Sequence, residues 1–195
     1  MNTLGLLYFA AAYLIGAIPF ALLIGRLKGI DLRQQGSGNL GATNVFRTLG
    51  APYGVLVFLL DSSKGFIPTY MAMQAFQNPW WHVAIGCMAV FGHAMSLFVR
   101  FKGGKGVATG LGMLLALSPL LAGAVFVVVI GLIAITRIVS IGSLLGCVLM
   151  PLLFYVCQEP LEYTTVVTLL SCFIIWRHKP NIQRLLEGKE HKING

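Results

Sequence analysis

Long apolar runs alternate with short polar segments along the whole chain. A membrane span needs about 20 apolar residues, and most of the runs approach or exceed this length. The run 107–117 is shorter, because a helix rises about 1.5 Å per residue, and it would be a half-helix in a thinned region or a re-entrant segment. The pattern predicts seven transmembrane helices, one of them short, at Leu4–Gly25, Ala51–Gln77, His82–Val99, Val107–Leu117, Pro119–Thr136, Ile138–Cys157 and Tyr163–Trp176.

The composition indicates an all-α integral membrane protein with one domain over residues 1–195. Hydrophobic residues make up 57% of the chain and charged residues 10%, whereas about a quarter of a soluble domain is charged. The spans would use most of the chain, which leaves no room for a separate soluble domain. The first run lacks a basic leading segment and a clear cleavage site, so we interpret it as a retained helix.

The basic residues orient the predicted helices. Twelve of the 14 Lys and Arg residues lie in three segments, and the turns at 77–82 and 158–162 contain none. Because basic residues collect on the cytoplasmic side, we expect the N-terminus outside and the C-terminus in the cytoplasm. Topology then explains the net charge of +8 without a nucleic-acid partner. The three basic segments are Arg26–Gly50, Arg100–Gly106 and Arg177–Gly195.

The first polar cluster extends from Ser37 to Arg47 and combines glycines with hydroxyl, amide and guanidinium groups. Glycines interrupt regular structure as far as Gly41, and Ala42–Leu49 is predicted to form a short helix. Spacings of three and four residues place polar side chains on one face of that helix, which suits a phosphate. A glycine-rich connector is the alternative interpretation. The candidate site residues are Ser37, Asn39, Thr43, Asn44 and Arg47.

The second cluster starts with His93 and Ser96 at the end of a span. An ionisable residue near the end of a membrane span is costly and is a site candidate by default. The following glycines let backbone N–H groups converge on an anion, and Val107 would begin a helix whose N-terminus favours the same charge. A neutral histidine bonded to a carbonyl is the alternative for His93. The loop contributes Lys102, Gly103, Gly104, Lys105 and Gly106 as candidates.

The third cluster lies in the basic tail. His178, Asn181 and Arg184 recur at three-residue spacing and can converge on one ligand. Pro180 suits the first position of a helix, and Gly188 suits its C-terminal cap. The alternative is a basic tail attracted to anionic lipid.

The fourth cluster is the pair Asp61 and Lys64, three residues apart inside an apolar run. A charge at this depth is expensive unless it is paired or near water. A self-neutralising structural pair is the alternative interpretation. We favour a mixed role, in which the pair lines the site and Lys64 can reach a phosphate.

The sequence lacks the residue sets that hold metals or form acyl-enzymes. Its only aspartates are Asp31 and Asp61, and its glutamates lie in the outer turn or the tail, so no carboxylate cluster for Mg²⁺ or Ca²⁺ is expected. The four cysteines stand singly without zinc-ligand spacing. We therefore predict metal-free, cofactor-free chemistry by direct transfer between two phosphate-bearing substrates.

Three clusters resemble the motifs of the bacterial acyl-phosphate:glycerol-3-phosphate acyltransferase family of the PlsY type. The pattern SGNxGATNxxR is matched from Ser37 to Arg47 without exception. The pattern GH…F…FKGGKGVAT is matched from Gly92 to Thr109, although many members have proline in place of Ser96. The pattern RHxxNIxRLxxGxE is matched at Arg177, His178, Asn181, Ile182, Arg184, Leu185, Gly188 and Glu190.

The resemblance implies transfer of a fatty acyl group from acyl phosphate to the sn-1 hydroxyl of glycerol 3-phosphate, giving lysophosphatidic acid and phosphate. We hypothesise that the Gly103–Gly106 amides and Lys105 hold the acyl phosphate and the developing charge. The base is either His93 or a substrate phosphate. Four residues would complete the acyl phosphate site: Ser37, Thr43, Asn44 and Arg47. Four would hold the glycerol phosphate: Lys64, His178, Asn181 and Arg184.

The same resemblance implies a bacterial inner membrane enzyme whose active site faces the cytoplasm. Its partners would be acyl phosphate, glycerol 3-phosphate and membrane lipids, with no obligate protein partner indicated. A transporter or flippase for a phosphorylated metabolite is the alternative, because it would also need basic residues at a membrane site. A lipid-binding scaffold would explain the basic tail but not the Ser37–Arg47 cluster.

Overall fold

The fold, described here by a computed structural model, covers residues 3–193 of the chain. These residues contain ten α-helices and one short 3₁₀ helix, and no strand occurs among them. The predicted all-α fold is therefore confirmed. The helices form two compact units, divided between Leu117 and Ser118.

In the first unit, α4 packs against α3, α5 and α6, and α1 packs against α5. The predicted short helix at 42–49 is confirmed with the expected bounds, since Gly41 and Gly50 flank it. The elements of this unit are α1 (Thr3–Ala17), α2 (Phe20–Leu27), α3 (Ala42–Leu49), α4 (Ala51–Ala75), α5 (Pro79–Ala94), the 3₁₀ helix Leu97–Val99 and α6 (Val107–Leu117).

Two of the predicted continuous spans are interrupted. The first run breaks between Ala17 and Phe20, because a residue that precedes a proline, here Ile18, disfavours the helical conformation. The run 82–99 breaks at Met95, whose φ of −124° and ψ of 56° lie outside the helical region. Both breaks lie beside the polar residues of the candidate site.

Glycines allow the helices of the first unit to approach closely. A Cβ added to Gly65 on α4 would collide with the carbonyl oxygen of Thr109 on α6, and a Cβ on Gly112 would collide with that of Ser62. On the α1–α5 contact, a Cβ on Gly92 would collide with the Tyr13 carbonyl oxygen. Small residues permit such backbone contact between membrane helices, so these glycines fix the backbone that carries the buried polar residues.

In the second unit, α8 packs against α7 and α9, and α10 follows α9. Pro180 stands in the first turn of α10, and Gly188 lies just beyond its end with a φ of +68°. The predicted start and end signals of this tail helix are thereby confirmed to within one residue. The helices are α7 (Pro119–Thr136), α8 (Val139–Val156), α9 (Leu161–Arg177) and α10 (Lys179–Leu186).

Four helical stretches of the described residues are long and apolar enough to cross a membrane. A fifth apolar helix, Val107–Leu117, is shorter, as its sequence predicts. The count of seven spans and the orientation of the termini stay predictions. The four candidate spans are Thr3–Leu27, Pro79–Val99, Pro119–Thr136 and Val139–Val156.

Candidate active site

Three ionisable side chains form a buried cluster in the first unit. Lys64 Nζ lies 2.7 Å from Asp61 Oδ1 and 3.1 Å from His93 Nδ1. The side chains of Asp61 and Lys64 are each 2% exposed, and that of His93 is 7% exposed. The sequence predicts the Asp61–Lys64 pair from its spacing on α4, and the structure adds His93 from α5.

The break between α1 and α2 completes the surroundings of the lysine. The carbonyl oxygen of Ile18, immediately before Pro19, accepts a hydrogen bond of 2.9 Å from Lys64 Nζ. The ring of Phe20 lies on another side, with its centroid 5.4 Å from the ammonium nitrogen, within the range of a cation–π contact. This enclosure differs from our expectation that Lys64 reaches a phosphate, because protein atoms already surround its ammonium group.

The glycine-rich loop folds back onto the end of α5. Arg100 and Phe101 reverse the chain with φ values of 53° and 62°, the left-handed region that non-glycine residues seldom adopt. The amide of Gly103 then donates to the Ala94 carbonyl at 3.2 Å, and that of Gly104 to the His93 carbonyl at 3.2 Å. The sequence predicts that these two amides hold a phosphate, but in the structure both donate to the protein backbone.

Close approach is the second reason for glycine in this loop. A Cβ added to Gly104 would collide with His93 Nε2 and would lie 2.8 Å from the carbonyl oxygen of Leu40. The loop thus brings the first and second polar clusters into contact. Gly106 is buried, has a φ of +90°, and accepts the first hydrogen bond of α6 from Gly110 at 2.7 Å.

A small, partly open crevice lies at this junction. Asp61, His93 and Ser96 provide its polar side chains. The Ser96 hydroxyl donates to the Ala17 carbonyl, so this side chain ties the loop to the end of α1. The remaining lining residues come from both helix breaks and both loops: Ala17, Ile18, Pro19, Phe20, Leu40, Val99, Gly103 and Gly104.

Asn44 organises the loop that precedes α3. Its Oδ1 accepts from the Ser37 amide at 2.9 Å, and its Nδ2 donates to the carbonyls of Leu32 and Gln35 at 3.2 and 3.0 Å. The residue is 1% exposed. The sequence predicts that Asn44 contacts a phosphate. In the structure its side-chain amide instead bonds three backbone groups, which gives it a structural role.

The other candidates of the first two clusters are more accessible than Asn44. Thr43 and Arg47 are half-buried on α3, one helical turn apart, as the sequence predicts. In the loops, Ser37 and Lys102 are exposed, whereas Asn39 and Lys105 are half-buried.

We expect Asn44→Ala to lower stability, since it leaves backbone donors and acceptors of the loop unpaired. The cost of such unpaired groups is about 1–3 kcal/mol, which corresponds to about 2–4 °C in Tm per kcal/mol for a chain of this size. Thermal melting of the detergent-purified protein measures the shift.

Ser37→Ala is the matched control for Asn44→Ala, because Ser37 contributes its backbone amide to the Asn44 bond. The serine variant should keep the wild-type Tm while losing turnover. A Tm for Asn44→Ala equal to that of Ser37→Ala would contradict the structural role of Asn44.

The third cluster, in the second unit, converges on a carboxylate. Glu190 Oε1 accepts from Asn181 Nδ2 at 2.6 Å and from the Ser140 hydroxyl at 3.0 Å, and Oε2 accepts from Arg184 Nε at 2.7 Å. His178 is 2% exposed, and its Nδ1 lies 2.8 Å from the Ile174 carbonyl oxygen. The predicted convergence of Asn181 and Arg184 is thus present, with Glu190 at its centre.

Burial opposes ionisation of Glu190, but hydrogen bonds from Asn181, Arg184 and Ser140 outweigh it and lower the pKa of the carboxyl group. A lowered pKa in the folded state stabilises the protein above the ordinary value of 4.5. That stabilisation is lost as the pH falls through the lower, folded-state pKa.

We expect Glu190→Gln to be less stable than wild type by about 1–3 kcal/mol near neutral pH, with the difference shrinking on acidification below the ordinary carboxyl range. Thermal melting at several pH values measures it. Glu187→Gln is the control, because the exposed Glu187–Lys189 pair at 3.3 Å should contribute at most about 1 kcal/mol. A pH-independent difference between wild type and Glu190→Gln would contradict the ionised role.

No group of three His, Cys, Asp or Glu side chains suited to a metal occurs among residues 3–193. Apart from the carboxylates of Asp61 and Glu190, which pair with cationic groups of the protein, the polar atoms of these clusters come from lysines, arginines, histidines, hydroxyls and backbone groups, which suit anionic ligands.

Comparison with known proteins decides the family. A family model described as glycerol-3-phosphate acyltransferase matches residues 6–188. This chain belongs to the glycerol-3-phosphate acyltransferase family. Among curated family members, the glycerol-3-phosphate acyltransferase of Aquifex aeolicus (strain VF5) is 45% identical over 99% of this chain and 100% of its own length. That of Synechococcus sp. (strain JA-3-3Ab) is 46% identical over 96% of this chain and 93% of its own.

Solved structures extend the agreement to the fold. The glycerol 3-phosphate form of PlsY (YgiH), an integral membrane glycerol 3-phosphate acyltransferase, is 44% identical to this chain with a TM-score of 0.94. The match covers 97% of this chain and 96% of that structure. With several helices able to span a membrane, this family member is a multi-pass membrane protein.

The sequence does not predict two features of these clusters. It identifies Glu190 only as a motif position, although its spacing of six residues from Arg184 offers a carboxylate partner in the same tail. The Ile18 carbonyl carries no side-chain signal, and only the following proline indicated a break in the helix.

Proposed function

We propose that the protein transfers a fatty acyl group from acyl phosphate to the sn-1 hydroxyl of glycerol 3-phosphate, giving lysophosphatidic acid and phosphate. The observation that carries the proposal is the match over 97% of the chain to PlsY in its glycerol 3-phosphate form. A second PlsY structure, in a lysophosphatidic acid form, is 43% identical with a TM-score of 0.91. The acceptor and the product of the proposed reaction thus each occur with a close structural relative.

The proposed chemistry needs no covalent enzyme intermediate. The sn-1 hydroxyl oxygen forms a bond to the acyl carbon, while the bond from that carbon to the phosphate oxygen breaks. Phosphate leaves with the electron pair, and the hydroxyl proton passes to a base. A mixed anhydride already has a good leaving group, so the protein has to align the reactants and stabilise the developing negative charge.

We assign the acyl phosphate to the junction of the first two clusters. The contact between Gly104 and the Leu40 carbonyl supports this assignment, because it joins the two loops. The α6 N-terminus directly after Gly106 favours an anion, and Lys105 adds a positive charge. The proposed site is completed by the hydroxyl and guanidinium groups of Ser37, Thr43 and Arg47 in the first cluster. Asn39, and Lys102 from the glycine-rich loop, would be further contacts.

We assign the glycerol phosphate to His178, Asn181 and Arg184 of the tail. Glu190 supports this assignment indirectly, since its carboxylate fixes the positions of Asn181 and Arg184. Arg184 has 30% of its side chain exposed, which leaves part of the guanidinium accessible to a second anion.

For the membrane arrangement we keep the sequence prediction as part of the proposal. We propose one acyltransferase domain with seven spans, an external N-terminus and a cytoplasmic C-terminus. The active site would face the cytoplasm from the bacterial inner membrane, because three basic segments contain most of the Lys and Arg residues. The reaction would require no metal, cofactor or obligate protein partner.

The direct test is an assay of the detergent-purified protein with a long-chain acyl phosphate and glycerol 3-phosphate, in the presence of a metal chelator. We expect release of phosphate and formation of lysophosphatidic acid in equal amounts. The same assay with an acyl thioester in place of acyl phosphate should give no product. Turnover with the thioester alone, or loss of turnover on chelation, would overturn the proposed donor or the proposed metal independence.

A second measurement addresses transport. Proteoliposomes containing the protein and labelled glycerol 3-phosphate outside should accumulate labelled lipid only when acyl phosphate is supplied. Uptake of unmodified glycerol 3-phosphate without acyl transfer would instead indicate a transporter.

A further inference from the structure

Lys64 has no room for a substrate phosphate, and its surroundings suggest a different role. A lysine ammonium carries three N–H donors and no acceptor. It forms an ion pair with Asp61 Oδ1 at 2.7 Å, donates to the Ile18 carbonyl at 2.9 Å and lies 3.1 Å from His93 Nδ1. The ring of Phe20 lies 5.4 Å away. The ammonium is therefore a fully enclosed donor group.

His93 has one ring nitrogen against this ammonium. Because an ammonium can only donate, Nδ1 must accept, and the proton of the neutral ring then resides on Nε2. Asp61 is the other charged group that faces the ring, but its Oδ1 is 3.6 Å from Nδ1, beyond the usual hydrogen-bond distance. A doubly protonated ring would place an N–H group against the lysine ammonium, which electrostatics disfavours.

The other ring nitrogen faces the proposed site. A Cβ added to Gly104 would collide with Nε2, and the Leu40 carbonyl oxygen lies 2.8 Å from the same point. His93, Leu40 and Gly104 all line the crevice. An Nε2–H group there is a donor directed at the junction of the two loops.

We propose that Lys64 is a positioning residue that holds His93 as a neutral Nε2–H hydrogen-bond donor. The inference rests on the proposed acyl transfer, and it chooses between the two roles that the sequence leaves open for His93. A ring with Nδ1 occupied by an ammonium and Nε2 already protonated has no lone pair with which to take the hydroxyl proton. His93 therefore donates to the reacting groups, and Lys64 acts through it.

The protonation state can be measured without turnover. Nitrogen-15 NMR of histidine-labelled protein in detergent, with His93→Gln used to assign the signal, distinguishes the two neutral tautomers from the imidazolium. We expect the signals of the neutral Nε2–H tautomer at neutral pH, because Nδ1 faces the lysine ammonium. An Nδ1–H tautomer, or an imidazolium, at that pH would overturn the proposal even if the enzyme transfers acyl groups as proposed.

Kinetics tests the donor role. His93→Gln retains an N–H donor and an acceptor for Lys64, whereas His93→Ala retains neither. We expect Gln to keep within about tenfold of wild-type kcat and Ala to lose about 100-fold or more, as for removal of an oxyanion donor. Equal losses for the two variants would overturn the donor role.

Lys64 is tested with a charge-matched variant, because Lys64→Met alone leaves the Asp61 charge buried and unpaired. In Asp61→Asn/Lys64→Met, we expect kcat to fall while the KM for glycerol 3-phosphate changes by less than about twofold, since positioning affects the transition state more than ground-state binding. The His93 NMR signal should shift away from the pure Nε2–H form. A large rise in KM with an unchanged His93 signal would instead indicate direct phosphate binding by Lys64.

The last control combines Asp61→Asn/Lys64→Met with His93→Ala in one protein. If Lys64 acts through His93, the combined variant should lose little more turnover than His93→Ala alone. A loss of turnover equal to the product of the losses in the double variant and in His93→Ala would contradict the coupling between Lys64 and His93. Absence of acyl transfer in the wild-type protein would count against the proposed function and leave the NMR result intact, so the two failures are distinguishable.

Discussion

Gly104→Ala should reduce turnover by about 100-fold or more while the helical fold is retained. The new methyl group would occupy the space between His93 Nε2 and the Leu40 carbonyl, which lies 2.8 Å from the added Cβ. The Leu40 side of this gap is backbone and has little freedom to move. Relief therefore requires the imidazole or the loop to shift, and a misplacement of about 1 Å at a reacting centre costs about 100-fold.

Gly123→Ala is the matched control for Gly104→Ala. Gly123 lies inside α7, and nothing is within 4 Å of the position of an added Cβ. Alanine is favoured over glycine in a helix interior by about 1 kcal/mol, so this variant should be fully active and at least as stable as wild type. Steady-state turnover, with circular dichroism to check the fold, separates the two variants. Near-normal activity of Gly104→Ala would show that the His93–Leu40 gap is not part of the reaction site.

Local rules predicted the helices that have clear boundaries in the sequence. Glycines on both sides define α3, and Pro119 starts α7 at the expected residue. The short helix 107–117 follows from a glycine-rich start and the Ser118–Pro119 stop. Each of these features depends on residues that are adjacent along the chain, so spacing and propensity suffice to find them.

The partners of the buried polar residues depend on contacts that spacing does not encode. Asp61 and Lys64 are neighbours on one helix, and their pairing follows from sequence. Their contact with His93 joins α4 to α5, and the Ile18 carbonyl contributes from a position 46 residues before Lys64. Periodicity predicts which residues share a face, but it does not predict which element packs opposite that face.

Hydrogen-bond satisfaction explains why several predicted ligands have structural roles. Asn44 and the Gly103 and Gly104 amides are polar groups of the kind that bind phosphate, yet they bond to the protein backbone. Asn44 bonds to its own loop, and the two amides donate to carbonyls at the end of α5. Buried polar groups need partners in the folded protein, and these groups fix the loops that carry Ser37 and Lys105. Sequence motifs predict which segments contain the site, whereas the hydrogen bonds that these groups form within the protein become visible only in the coordinates.

Lys105→Ala should abolish most turnover, by about 100- to 1,000-fold, while the fold remains intact. Acyl transfer from a mixed anhydride develops negative charge on the acyl oxygen and the leaving phosphate, and removal of one stabilising donor from such a site costs about this much. Lys105 is half-buried between the two glycines that shape the loop, directly before the turn at Gly106 into α6. Its charge thus adds to the field of the helix N-terminus.

Two comparison variants separate this effect from a general loss of positive charge. Lys189→Ala removes the same charge from the exposed tail, where Lys189 pairs only loosely with Glu187 at 3.3 Å, and should remain close to wild type. Lys105→Arg keeps the charge but changes its geometry, so it should recover part of the activity lost in Lys105→Ala. Phosphate release from acyl phosphate at saturating glycerol 3-phosphate measures all three. Turnover of Lys105→Ala equal to that of Lys189→Ala would exclude Lys105 from the charge-stabilising role. Loss of a positive charge beside the proposed site would then have no more effect than loss of the same charge from the tail.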